Sequence, residues 1–125
     1  MNERILNVKV GEPVEANLAR AAQMMETLER GETAAPYFGI GFNDIGQLLA
    51  VFTPKRWELL AALREMGPLS IAELARRLKR DYKNVHGDID KLIEWRAVEK
   101  DEQGRVCAPY AEIVLDVRLP ERTAA

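Results

Sequence analysis

The side chains of this chain best equipped for chemistry are cations and amides. Arg76, Arg77, Lys79, Arg80 and Lys83 fall within one short run against a single acid, Asp81. Tyr82, Asn84, His86 and Lys91 follow, and Arg105 stands further along. Groups of this kind neutralise phosphates and donate to base edges. They do not assemble a nucleophile with its base. With one histidine, His86, and one cysteine, Cys107, the chain can form neither an intramolecular disulfide nor a thiolate-rich metal site. The acids Asp88 and Asp90 read as helix-surface charges. No catalytic constellation, cofactor or metal is expected.

Two short helices must position the basic run. In the first, Ile71, Leu74, Ala75 and Leu78 stand at i, i+3, i+4 and i+7, one apolar stripe. Ser70 precedes it with Glu73 three residues on, the spacing of a capping box. In the second helix, residues 81 to 95, Val85, Ile89, Leu92 and Ile93 repeat the inward pattern, and Asp81 is placed to cap it. Tyr82, Lys83, His86, Gly87 and Lys91 then point outward, with Asn84 at the edge. A helix-turn-helix reader puts the N-terminal part of its second helix into the major groove of DNA. Gly87 costs such a helix roughly 1 kcal/mol relative to Ala, so a close backbone approach would be its use. The plainer alternative is a helical hairpin with a solvated basic face.

Charge distribution favours the first reading. The net charge is −2, yet the first 52 residues hold four basic and seven acidic residues, and residues 97 to 125 hold four and six. Positive charge is therefore local, as expected of a chain that touches nucleic acid with one face. At 125 residues the chain has the length of one domain with an appended arm. No apolar run of membrane-spanning length and no signal-peptide pattern is visible, so a cytoplasmic location is expected.

Along the chain, Leu6, Val8 and Val10 alternate with Asn7 and Lys9, the pattern of a half-buried strand. Residues 14 to 30 follow helical spacing through Leu18, Ala21, Ala22, Met25 and Leu28, with Met24 and Met25 read as core filler. The segment from Tyr37 to Phe42 contains Gly-x-Gly but lacks the rest of a phosphate loop, and reads as a short strand. Asn43 or Asp44 caps the next helix, whose apolar side is Ile45, Leu48, Leu49 and Phe52. Thr53-Pro54 opens another helix, through Trp57, Leu59, Leu60, Leu63 and Met66, and Gly67-Pro68 closes it. Residues 97 to 108 read as a hairpin around Asp101-Glu102-Gln103-Gly104, and Ile113, Leu115, Val117 and Leu119 alternate in a last strand. The two terminal strands are free to pair with each other, with a second copy or with another protein.

Phe52-Thr-Pro-Lys-Arg56, the run from Gly67 to Leu78, the run from Arg80 to His86 and the Asp101-to-Arg105 turn together resemble the MarR-like winged-helix regulators of prokaryotes. The resemblance covers roughly residues 43 to 119 and extends to antitoxins encoded beside a small toxin, of the TumE/TumA type. It departs from the family pattern at Gly87. It implies an α+β winged helix-turn-helix, a three-helix core with a β-hairpin wing, carrying an N-terminal strand-helix arm and a C-terminal strand. The expected division is an arm for dimerisation or partner binding over 1–42, a DNA-binding domain over 43–110 and a terminal strand and tail over 111–125. The expected function is operator binding by a homodimer, as a repressor of transcription. The alternative is neutralisation of a cognate toxin by protein–protein contact. Lys83, Asn84 and His86 are the candidate base readers. Arg76, Arg77, Arg80, Tyr82, Lys91 and Arg105 are the candidate phosphate contacts, and Ser70 at the first helix's N-terminus completes the set for double-stranded DNA.

Overall fold

A computed structural model describes residues 4–11, 14–32 and 37–119. The chain is α+β. In order it runs β1 (Arg4–Val10), α1 (Val14–Glu29), β2 (Phe38–Phe42), α2 (Ile45–Val51), α3 (Pro54–Met66), α4 (Ile71–Leu78), α5 (Tyr82–Glu94), β3 (Glu99–Lys100), β4 (Val106–Cys107) and β5 (Tyr110–Val117). None of the helices among the described residues is long and apolar enough to cross a membrane.

β1, β2 and β5 form one parallel sheet in the order β2-β1-β5, so the two terminal strands pair with each other. Alternation puts Leu6, Val8 and Val10 of β1 on the inner face, where all three are buried. The register sets Phe38, Ile40 and Phe42 of β2 beside them on one side, and Ile113, Leu115 and Val117 of β5 on the other. On the outer face Lys9 and Asp116 are cross-strand partners and form a 2.9 Å ion pair. The hydrogen bond from Lys9 holds the Asp116 carboxyl below the usual carboxylate range. Gly11 turns the chain out of β1 at φ +74°, where a Cβ would press on the Arg118 carbonyl at 3.1 Å, so a side chain is excluded twice over.

The helices form around local signals. Asp44, Thr53, Ser70 and Asp81 each accept a hydrogen bond from the backbone N–H three residues on, which caps α2, α3, α4 and α5 in turn. Leu59 and Leu63 of α3, Leu74 of α4 and Val85, Ile89 and Leu92 of α5 are all essentially inaccessible and share one core. β3 and β4 are antiparallel, and Leu69, just before α4, adds two backbone hydrogen bonds to Val106. The hairpin is thereby tied to the start of α4 as well as to the end of α5.

A chain of rings joins the sheet to the helices. Phe42 stacks on Trp95 at 4.5 Å between centroids and meets Phe52 edge-on at 6.1 Å, and Phe52 stacks on Trp57 at 5.0 Å. Arg4 of β1 also forms an ion pair with Glu99 of β3.

Three expectations are corrected here. Met24 and Met25 are not core filler: α1 presents Leu18, Met25 and Leu28 to solvent at 64, 62 and 57% exposure. Ile45 and Leu49 of α2 are likewise exposed, because only Leu48 and Val51 of that helix turn inward. In β5 the alternation continues beyond the cover available to it. β5 is an edge strand, and Leu115 and Val117 stay exposed there although their partners Val8 and Val10 on β1 are buried.

Candidate nucleic-acid interface

The basic run occupies the junction between α4 and α5. Its turn consists of Lys79, Arg80 and Asp81. Lys79 is left-handed, at φ 55°. Its N–H bonds the Arg76 carbonyl and the Arg80 N–H bonds Ala75, the Schellman pattern in which glycine is the favoured residue. A lysine there carries strain of order 1 kcal/mol. It keeps an exposed ammonium at the tip of the turn, with no partner among the described residues.

α5 is held from beneath by a charged group that sequence reading placed on the surface. Asp88 accepts from Arg56 Nε at 3.0 Å and from Arg80 Nη2 at 2.8 Å, with its side chain only 16% exposed. Arg56 also donates to the Ala50 and Val51 carbonyls at the end of α2. One carboxylate thus fixes α3, the turn and α5 to one another. Asp88 is therefore a structural anchor rather than a helix-surface charge, and Arg80 spends its guanidinium on that anchor. Asp90 is 61% exposed and faces His86 Nδ1 at 3.1 Å.

The remaining candidates divide by their partners. Ser70 caps α4, its Oγ accepting from the Glu73 N–H at 3.1 Å. Arg76 and Arg77 both pair with Glu73 while staying largely exposed. Tyr82 is exposed, its ring 5.7 Å from that of His86. Lys91 pairs with Glu94 at 2.9 Å in the last turn of α5, far from its N-terminal end. Lys83 and Asn84, in the first turn of α5, are exposed and have no side-chain partner among the described residues. The α5 N-terminus is closed by its own Asp81, so an incoming phosphate would be held by side chains here rather than by the helix end.

The hairpin tip is self-contained. Asp101 accepts from the Gln103 and Arg105 N–H groups and from Arg105 Nε, each at 2.9 Å. The Arg105 backbone N–H is foremost in holding the Asp101 carboxyl below its usual range. Arg105 is thus folded back on the acid beside it. In the same hairpin Cys107 is half-buried, and burial pushes its thiol up.

The sequence alone does not reveal the pairing of Arg56, the left-handed backbone of Lys79 or the anchoring role of Asp88. The Thr53-Pro54 signal placed Arg56 on α3, but nothing local pairs it with an acid 32 residues later. Lys79 was visible as a charge, while its left-handed backbone was not.

A Cβ built at Gly87 meets nothing within 4 Å. Gly87→Ala is expected to stabilise the fold by about 1 kcal/mol through helix propensity alone, read as a raised urea midpoint with an unchanged slope. A smaller gain would mean that the backbone at this exposed site is strained.

A family model matches residues 51–115, from the last residue of α2 through most of β5. That is just over half of the chain. The chain belongs to the HVO_A0114 family. The HVO_A0114 match takes in α3, α4, α5 and the β3–β4 hairpin, and so the whole of the basic junction. β1, α1 and β2 lie outside it. Searches of curated proteins and of solved structures gave no significant match.

Proposed function

We propose that this chain is a sequence-reading DNA-binding regulator. In this reading α3, α4 and α5 form a helix-turn-helix core, the β3–β4 hairpin is its wing, and the first turn of α5 enters the major groove. The observation that carries it is the pairing pattern on α5. Its underside is locked by the Asp88 bridge, while Lys83 and Asn84 project from its first turn without side-chain partners among the described residues. Exposed Arg76 and Lys79 flank them on the last turn of α4 and its cap. A rigid helix with free donors and a cationic flank suits base-edge reading with phosphate clamping. The resemblance to MarR-like regulators adds to this reading.

The test is fluorescence anisotropy with the duplex upstream of the chain's own coding sequence against a scrambled duplex, across a salt series. The expected result is tighter binding to the first, with affinity falling steeply as salt rises. Asn84→Ala is expected to lose about 1–3 kcal/mol at the preferred site and to narrow the gap between the two duplexes. Equal and weak binding to both would overturn the proposal. It would favour the second reading, an antitoxin that captures a small toxin protein by strand addition. One observation speaks for that second reading: β5 is an edge strand with Val114, Leu115 and Val117 exposed.

A further inference from the structure

α1 is set the wrong way round for a helix of an isolated monomer. Among its described side chains the half-buried ones are Ala16, Arg20 and Thr27, which lie on one edge at helical spacing. That edge is polar: Arg20 bonds Asn17 at 3.1 Å and lies over the Tyr37 ring at 5.0 Å. It borders an open polar cleft of about 400 Å3 that Lys9 and Asn43 also line. The opposite side carries Leu18, Ala21, Met25 and Leu28, all exposed. Their steps of three, four and three residues are those of a helix–helix seam. An amphipathic helix normally turns such a stripe inward.

The stripe is complementary to itself. Counting outward from Gln23, the leucines Leu18 and Leu28 stand five residues to either side. The small Ala21 stands two residues before Gln23 and the long Met25 two residues after. Antiparallel pairing of two such helices sets leucine against leucine and alanine against methionine, so that small and large side chains interdigitate. A twofold-related contact requires this reciprocity of each residue with its counterpart. We infer that α1 is the interface between two copies of this chain, paired antiparallel about Gln23, with Leu18 against Leu28 and Ala21 against Met25 of the second copy.

This inference does not rest on DNA binding, and its test needs no DNA. Sedimentation equilibrium of the full chain should give twice the 14.1 kDa chain mass. Met25→Glu should halve that mass, with far-UV circular dichroism and the thermal midpoint of the helical core retained, because the replaced side chain is exposed. Combining Met25→Glu with Ala21→Lys should restore the doubled mass, since antiparallel pairing brings each new lysine to a new glutamate. A wild-type chain of single mass would overturn the inference and give the stripe to a different protein. A dimer indifferent to Met25→Glu would overturn it as well. A double variant that stays monomeric would overturn the antiparallel register, because parallel pairing sets like charges together.

Discussion

Phe42→Ala is expected to cost about 3–5 kcal/mol, the range for removing a buried phenyl ring from a packed core. Phe42 is 4% exposed and closes the inner face of the sheet beside Val10. Its ring touches both Trp95, at the end of α5, and Phe52, at the end of α2. Removing it breaks the ring chain at its centre, so sheet and helices lose their shared layer as well as the transfer free energy of one side chain. Urea unfolding followed by tryptophan emission measures both effects, because Trp95 loses its stacking partner. Phe42→Leu keeps most of the volume and should lose far less. Equal losses for the two variants would show that ring stacking, rather than burial, dominates at this position.

Asp88→Ala is expected to cost about 2–3 kcal/mol, with the small residual exposure of the carboxylate keeping it below the full range for a buried pair. The loss exceeds that of an ordinary surface ion pair because two guanidinium groups, each about one-fifth exposed or less, are left without their shared acceptor. Asp90→Ala, two residues away and well exposed, should change stability by no more than about 0.5 kcal/mol. Urea midpoints of the two variants make the comparison. Similar losses at both positions would mean that Asp88 is not the anchor of α5. Under the proposed DNA-binding reading, Asp88→Ala would weaken binding to every duplex through misplacement of α5, although Asp88 itself would touch no nucleic acid.

These two sites mark where sequence reading stopped. The helix starts at Thr53, Ser70 and Asp81 were legible because a cap is a local event, written within three residues of its acceptor. The stripes of α4 and α5 were legible for the same reason, as was the alternation in β1. The Asp88 bridge was not, since it depends on packing α5 against α3, and an acid beside a basic run looks solvated until that packing is known. Strand order was open in the sequence, because an alternating strand names its buried face but not its neighbour. On α1 the periodicity was read correctly and its direction was not. Spacing shows that a stripe exists, and only the positions of other elements show whether anything covers it.

The order of the parallel sheet bears on how the chain comes to be folded. β1 is the middle strand, yet one of its two partners begins only at Tyr110. As the polypeptide leaves the ribosome, α3, α4 and α5 can condense through contacts between near neighbours while β1 still waits for β5. Closing a loop of about 100 residues slows that final pairing. Until it occurs, one side of β1 offers bare amides and carbonyls next to Leu6, Val8 and Val10, an opening through which nascent chains can join strand to strand before any of them is complete.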